Sequence, residues 1–441
     1  SEQPGQRAEP AAAQVVEETP AAAPGESKLA EPPAEHSIAV LPFTVMTNGA
    51  DDEYFADGLT EEILNSLAQL PELLVTARTS AFAFKGQDLS IQDIALKLGV
   101  RNVVEGSVRR SGNRLRVTAQ LIRASDGFHL WSENYDSTAE DTIAVQEDIA
   151  EKIAEAMNVV LDDEKREAMR QAGLRDVEAF IALQKGIQLY EAAHGAPDML
   201  AKLREANGYF EVVQQRVPDY APAYLLHSDQ YIHLLMSDAT GQSLEGALAE
   251  DVAAAMSRAE QDTAAGVAKS KNEDARSNAE LDLAFISSDW QGMPARIERF
   301  LAQSGCEEIT WVSNIGSLTG YAQRLIPRDE EYLSCDPLSS SSWRFLVRDN
   351  LWAGNPAGAL EVARQGEQRA PGSWLGLQMV SALVALGDFD AADQVATATF
   401  HNDEDIAITH MMVAAARGDR ETAERMLEEF LAGPLADHYW G

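Results

Sequence analysis

Apolar positions fall into two regimes along the chain. From residue 37 to about 160, short apolar runs alternate with helical stripes. Ser37-Ile-Ala-Val-Leu-Pro-Phe43 is a compact apolar run and predicts a buried strand. Phe55, Leu59, Ile63, Leu67 and Leu70 recur at helical spacing, and Pro71 stops the stripe. Leu73–Ala77 predicts a second strand. Ser90 is placed to cap a helix that carries Ile91, Ile94, Ala95 and Leu98 on one face and stops at Gly99. Val103–Val108 and Leu115–Ile122 predict two strands joined by the turn signal Ser111-Gly112-Asn113. In the second, Leu115, Val117, Ala119 and Leu121 alternate with Arg116, Thr118 and Gln120, so one face is buried. A last strand runs from His129 to Tyr135, and a long helix with Ile149, Ile153, Met157 and Val160 in register follows. The expected order over residues 37–172 is β-α-β-α-β-β-β-α, a small α/β domain with a long connecting helix.

Residues 173–441 predict an all-α domain of repeats. Pro337 and Pro371, in Cys335-Asp-Pro-Leu-Ser and Arg369-Ala-Pro-Gly-Ser, stand 34 residues apart. Turn-like positions at Asp289, Gly320, Gly354, Gly387 and Gly418 step by 31 to 34 residues. That is the tetratricopeptide period of two antiparallel helices per unit, so the expectation is a tetratricopeptide-like α-solenoid. Residues 238–275 are polar, Ala-rich and poorly periodic, and predict either a long loop or an irregular helix pair. Residues 1–36 hold nine Ala, six Pro, seven acids and two bases. Such a mixture buries too little apolar surface to offset ordering entropy, and reads as an extended linker.

The wording of the α/β segment resembles a known bacterial module. Glu53-Tyr-Phe-Ala-Asp-Gly-Leu-Thr-Glu-Glu62, Val104-Glu-Gly-Ser-Val-Arg109, Arg114-Leu-Arg-Val-Thr-Ala-Gln-Leu121 and His129-Leu-Trp-Ser-Glu-Asn-Tyr-Asp136 are similar to motifs of a family related to the TolB amino-terminal domain. The resemblance covers about 120 residues. It implies a place in single-pass bacterial signalling proteins, ahead of tetratricopeptide-like repeats. There the upstream partner is a winged-helix DNA-binding domain, as in CadC-like regulators, or a nucleotide cyclase domain. It implies no catalytic residues.

Charge narrows the partners. With 35 basic and 71 acidic side chains the net charge is −36, the wrong sign for a nucleic-acid or anionic-lipid surface. No stretch approaches the roughly 18 consecutive apolar residues of a membrane span. Two cysteines exclude a disulfide-scaffold protein and a four-cysteine zinc site. Against this background Arg101, Arg109, Arg110, Arg114, Arg116 and Arg123 gather around one hairpin with a single acid, Glu105. Arg109, Arg110, Arg114 and Arg116 are therefore candidates either for docking against acidic helices of the same chain or for an anion site. Cys306 and Cys335 lie almost one repeat apart; they are two buried thiols or, in an oxidising compartment, a disulfide.

Catalytic patterns are missing from the sequence. It contains no G-x-G-x-x-G, phosphate-loop, H-E-x-x-H or G-x-S-x-G pattern. His227 and His233 are six residues apart, on different helical faces, and cannot share a metal on one face. Asp57, Glu61 and Glu62 cluster in one helix, where acids ordinarily serve the helix dipole rather than acid–base chemistry. No cofactor or metal is expected.

Together these readings predict a periplasmic sensory or protein-interaction domain of a membrane-anchored signalling protein, not an enzyme. A protein or peptide partner would sit on the repeats, a homodimer is an option, and any membrane contact would run through an upstream anchor. The alternatives are a stand-alone envelope scaffold and, for location, the cytoplasm.

Overall fold

In the computed structural model the described residues are 33–47, 52–112, 114–138, 142–171, 174–194, 196, 198–240, 249–303, 306, 316–317, 319–371, 375–399 and 403–432. The proposed linker over residues 1–36 lies almost entirely outside them.

A six-stranded mixed sheet comes first, formed by β1 (Ser37–Val40), β2 (Thr44–Val45), β3 (Leu74–Val75), β4 (Asn102–Ser111), β5 (Arg114–Arg123) and β6 (His129–Thr138). Its order is β3-β1-β4-β5-β6, with β2 also beside β4. The β3, β1, β2 and β4 pairings are parallel, and β4-β5-β6 is an antiparallel meander with Val108 opposite Val117 and Arg116 opposite Asp136. β5 buries Leu115, Val117, Ala119 and Leu121, as its alternation requires. Three helices fall between the strands: α1 (Asp52–Ala68), α2 (Arg78–Phe82) and α3 (Ile91–Leu98). Ser90 Oγ accepts from the Asp93 amide at the start of α3, and Gly99 ends it with φ +68°.

Three sequence expectations change here. The apolar run 37–43 is a strand only to Val40, and α2 had no periodic signal because one turn of helix is too short to carry one. The long helix expected after β6 is two helices, α4 (Thr142–Ala156) and α5 (Asp163–Gln171). Asn158 takes φ +61°, its amide donates to Glu155 O, and the Val159 amide donates to Ala154 O. This paired closure of a helix end through a left-handed residue leaves Val160 80% exposed rather than in register.

The rest of the described chain is helical: α6 (Val177–Ala193), α7 (Met199–Arg216), α8 (Ala221–Thr240), α9 (Ala249–Lys269), α10 (Glu273–Ile286) and α11 (Met293–Ala302), then Ala322–Cys335, Ser340–Trp352, Pro356–Arg369, Gly376–Leu386, Phe389–Thr399, Asp403–Arg417 and Arg420–Ala432. Consecutive helices pack on one another along most of the series. The segment 238–275, left open between loop and helices, holds the end of α8, α9 and the start of α10, with 241–248 outside the described residues. The repeating turn is concrete. Ser288, Gly320, Gly354, Gly387 and Gly418 all have positive φ, at steps of 32, 34, 33 and 31 residues. Each is followed by an amide that reaches back five residues, from Asp289, Tyr321, Asn355, Asp388 and Asp419. Left-handed backbone favours glycine, which explains four of the five. The sequence spacing puts the first at Asp289, whereas the left-handed residue is Ser288.

A single apolar core crosses the boundary expected at residue 172. Ile38, Val40, Leu59, Ile63, Val117 and Ile149 of the sheet unit share it with Phe180 and Leu183 of α6 and Phe210 of α7. A second core, with Trp343 fully buried, holds helices 340–417 together.

Candidate functional site

The most chemically loaded region is the seam between the sheet unit and the helices, and α1 builds it. One stripe of α1 (Phe55, Leu59, Ile63, Leu67) packs into the core. The Glu53–Glu62 segment also brings Gly58 against α6, where an added Cβ would stand 2.3 Å from Phe180 Cζ and 2.7 Å from Cε1. Only glycine permits that approach.

Asp57, Glu61 and Glu62 are buried on α1. Lys85 Nζ lies 2.6 Å from Asp57 and 2.9 Å from Glu53. Arg78, at the start of α2, places Nε 2.8 Å from Glu61, hydrogen-bonds Glu191 of α6 and stacks its guanidinium 4.1 Å from the Phe82 ring centre. A chain of charges therefore runs from the sheet unit into the helical region. Burial raises the carboxyls of Asp57 and Glu61 above the ordinary range, against the pull of Lys85 and Arg78. Glu62 is pushed up to about 8, by burial first and then by the Glu61 charge. Neither of its carboxyl oxygens has a hydrogen-bond partner among the described residues. The Leu174 amide opposes the shift without meeting hydrogen-bond geometry. Tyr220, raised mainly by burial and also by Glu62 and Glu61, faces the same patch.

A second contact closes the seam from far along the sequence. The turn after helix Ala322–Cys335 docks onto α2. Asp336 is buried and accepts hydrogen bonds from Thr79 Oγ1 at 2.7 Å and from Ser80 Oγ. The Leu338 amide donates to Ser80 Oγ at 2.9 Å, and the Ala77 amide donates to the Cys335 carbonyl at 2.9 Å. Leu338 packs against the small core of Phe84, Ile94, Leu98 and Val103. In the structure Cys335 is bridged to Cys306, with Cα atoms 5.7 Å apart. The cysteine pair thus tethers the very turn that grips the sheet unit. Sequence reasoning marked Cys335 and Pro337 as parts of a repeat and missed the clasp, because its partners are more than 250 residues apart.

The arginine hairpin is less uniform than the docking reading expects. Arg116 makes a two-bond ion pair with Asp136 on the neighbouring strand, both side chains exposed. Arg110 reaches Asp52 at the start of α1, at 3.8 Å. Arg109 and Arg114 are exposed and form no ion pair among the described residues. Among the described residues Arg110 alone of the four forms an ion pair with a helix.

One histidine and hydroxyl pair among the described residues has a catalytic-looking order. His410 lies 2.7 Å from Asp393 and 3.2 Å from Thr397 Oγ1, a triad-like order. Thr397 Oγ1 also donates to the Asp393 carbonyl at 2.9 Å, which competes with donation to His410. His227 bonds Asp262 at 2.8 Å, while His233 turns to His194 and Asp229. No helix of the described residues is long and apolar enough to cross a membrane. A groove of about 540 Å³ opens between helices 356–369, 376–386 and 389–399, lined by Leu360, Met379, Leu383, Leu386 and Val395 with Arg364.

Comparison with known proteins reaches the seam-building part of the chain. Residues 34–152 match the family described as HilA/YgeH-like transcriptional regulator, second domain. The chain is also 44% identical over 156 residues to "Putative adenylate cyclase 3" of Rhizobium meliloti (strain 1021). That alignment takes in 35% of this chain and 27% of the relative, so the chain spans about a quarter of the relative's length. The likeness supports a regulator- or cyclase-associated module and a signalling protein.

Proposed function

We propose that this chain is the sensory and protein-interaction part of a membrane-anchored bacterial signalling protein, of the transcription-regulator or cyclase type, and that it performs no catalysis itself. One observation carries the reading: residues 34–152 match a domain of a regulator family and 156 residues of the chain match a protein named as a cyclase, while the notable side chains of residues 34–152 build packing. Gly58 admits α6, and Asp57, Glu61 and Glu62 are sealed in a seam. Regulators and cyclases have control in common, and a control module fits both likenesses.

The helical region is read as a tetratricopeptide-like solenoid. The recurrence of left-handed helix stops at 31–34 residues and the packing of consecutive helices support this. The groove beside Leu383 and Met379 would take an apolar-bearing protein segment. The Cys306–Cys335 pair favours an oxidising compartment, hence the periplasm. A ligand acts on such a protein only by favouring one arrangement of the sheet unit and helices over another.

Location and binding are separable by experiment. Alkaline phosphatase fused to the C-terminal end of the native protein is expected to be active in intact cells, because it matures only in an oxidising compartment. Activity of a β-galactosidase fusion alone would put the chain in the cytoplasm. A photocrosslinker at Met379 is expected to capture a protein partner that one on the exposed face of α5 does not. Equal capture at both positions would remove the groove from the reading.

A further inference from the structure

We propose that His194, Asp229 and His233 form a binding site for a divalent transition-metal ion of the zinc type, with three protein ligands and the fourth position open. The proposal is independent of the signalling reading and rests on side-chain geometry.

Asp229 and His233 are four residues apart on α8 and so share a face. His194 closes the C-terminal end of α6 and comes to the same point from a different helix. Three donor atoms converge there. His194 Nε2 lies 3.3 Å from His233 Nε2 and 3.3 Å from Asp229 Oδ2, and His233 Nε2 lies 3.4 Å from the same oxygen. The triangle is equilateral within 0.1 Å. Zinc bound at about 2.0–2.1 Å in tetrahedral geometry sets its ligand atoms roughly 3.3–3.4 Å apart, so the triangle has the dimensions of one face of that tetrahedron.

Proton placement points the same way. His194 Nδ1 lies 2.9 Å from the Tyr190 carbonyl oxygen. A carbonyl only accepts, so Nδ1 carries the hydrogen and a neutral ring turns its Nε2 lone pair toward the cluster. Backbone anchoring of the outer nitrogen is the usual support of a metal-ligating imidazole. Asp229 Oδ2 is buried and stands within 3.4 Å of both rings, yet makes a properly directed hydrogen bond to neither. One hydrogen bond joins the two rings, and the buried carboxylate oxygen is left without one. A cation at the centre satisfies all three atoms at once.

The donor set selects the ion. Two imidazoles and one carboxylate suit zinc, cobalt, nickel or copper. Calcium needs six to eight oxygens, and magnesium near-octahedral oxygen coordination. His194 is the most exposed of the three, 38% against 23% for His233 and 14% for Asp229, so the open position faces solvent on its side. A water, a carboxylate or a partner's imidazole can complete the shell there.

The test uses the whole chain, free of affinity tag and stripped with chelator, titrated with Co²⁺ and Zn²⁺. One equivalent is expected to bind with a Kd of about 1 µM or tighter, and Co²⁺ to show the visible absorption of a tetrahedral site. His194→Asn is the informative variant, because an exposed helix-end residue can change without unfolding the chain; circular dichroism checks this. It and His233→Asn are each expected to weaken binding more than about 100-fold, beyond the loss caused by an outer-shell partner alone. His410→Asn, elsewhere on the surface, should bind as the parent does. Failure of the parent chain to bind Co²⁺ or Zn²⁺ at 100-fold above that Kd would overturn the proposal. So would unchanged affinity in a folded His194→Asn chain, or loss of binding in His410→Asn instead.

Discussion

At the scale of single residues, Glu62 is the outlier. A carboxyl with a folded-state value of about 8 binds a proton over a pH range where the unfolded chain has released it. Between roughly pH 4.5 and 8 the folded state holds more protons, so this group's contribution to stability falls as pH rises. Below the unfolded value both states are protonated and the penalty vanishes. Glu62→Gln removes the titration at nearly constant shape. It is expected to stabilise the chain by about 2–3 kcal/mol at pH 7, and by an amount shrinking toward zero near pH 4.5. Urea unfolding of both chains at pH 5 and pH 7 measures this, and a pH-independent difference would show that Glu62 acts by shape rather than by charge.

At the scale of elements, the approach of α1 to α6 decides how the sheet unit meets the helices. Gly58→Ala places a methyl group inside the Phe180 ring's contact distance. The two helices must part or the ring must turn, at a cost of about 1–3 kcal/mol. Phe180→Leu in the same chain should recover part of that loss, giving a coupling energy above the noise of a double-mutant cycle. Simple addition of the two losses would mean the methyl group finds space elsewhere. Ser90→Ala offers a control within one element: its oxygen caps α3 alone, and its loss should cost about 1 kcal/mol whatever Phe180 is. Such caps were legible in the sequence, because Ser90 and Gly99 bracket a helical stripe that needs both. The break after Ala156 was not legible, because asparagine occupies the left-handed position more rarely than glycine.

At the scale of the whole molecule, the α1–α6 seam and the Asp336 clasp are, among the described residues, contacts that hold the helical region to the sheet unit. Cys335 belongs to the clasp and to the disulfide, so oxidation and docking are coupled. Cys306→Ser with Cys335→Ser frees a loop of 29 residues, and chain-entropy reasoning puts the loss at about 3–4 kcal/mol. Asp336→Ala removes the acceptor of two hydroxyl hydrogen bonds and should cost about 1.5–3 kcal/mol. If the bridge holds the turn against α2, the combined variant loses less than the sum and scatters X-rays as a larger particle. Full additivity with an unchanged radius of gyration would make the bridge a local brace of the helices.

Sequence alone determined the main strands and helices but not β2, α2 or the break between α4 and α5; it also determined the buried face of β5, the caps of α3 and the period of the helix stops. These depend on neighbours within a few residues or on a spacing the chain repeats. It marked Cys306, Cys335, Asp57, Glu61 and Glu62 as chemically notable, without saying what each one meets. Only the tertiary structure decided that the three carboxyls are buried, that Asp336 reaches Thr79 and Ser80, and that His233 meets His194 rather than His227. Helical spacing separates His227 from His233 correctly, but it is silent about a histidine 39 residues away on another helix. Periodicity reports which face of an element is buried; what lies across that face depends on how the elements pack, and this was settled when α1, α6, α7 and the sheet closed around one core.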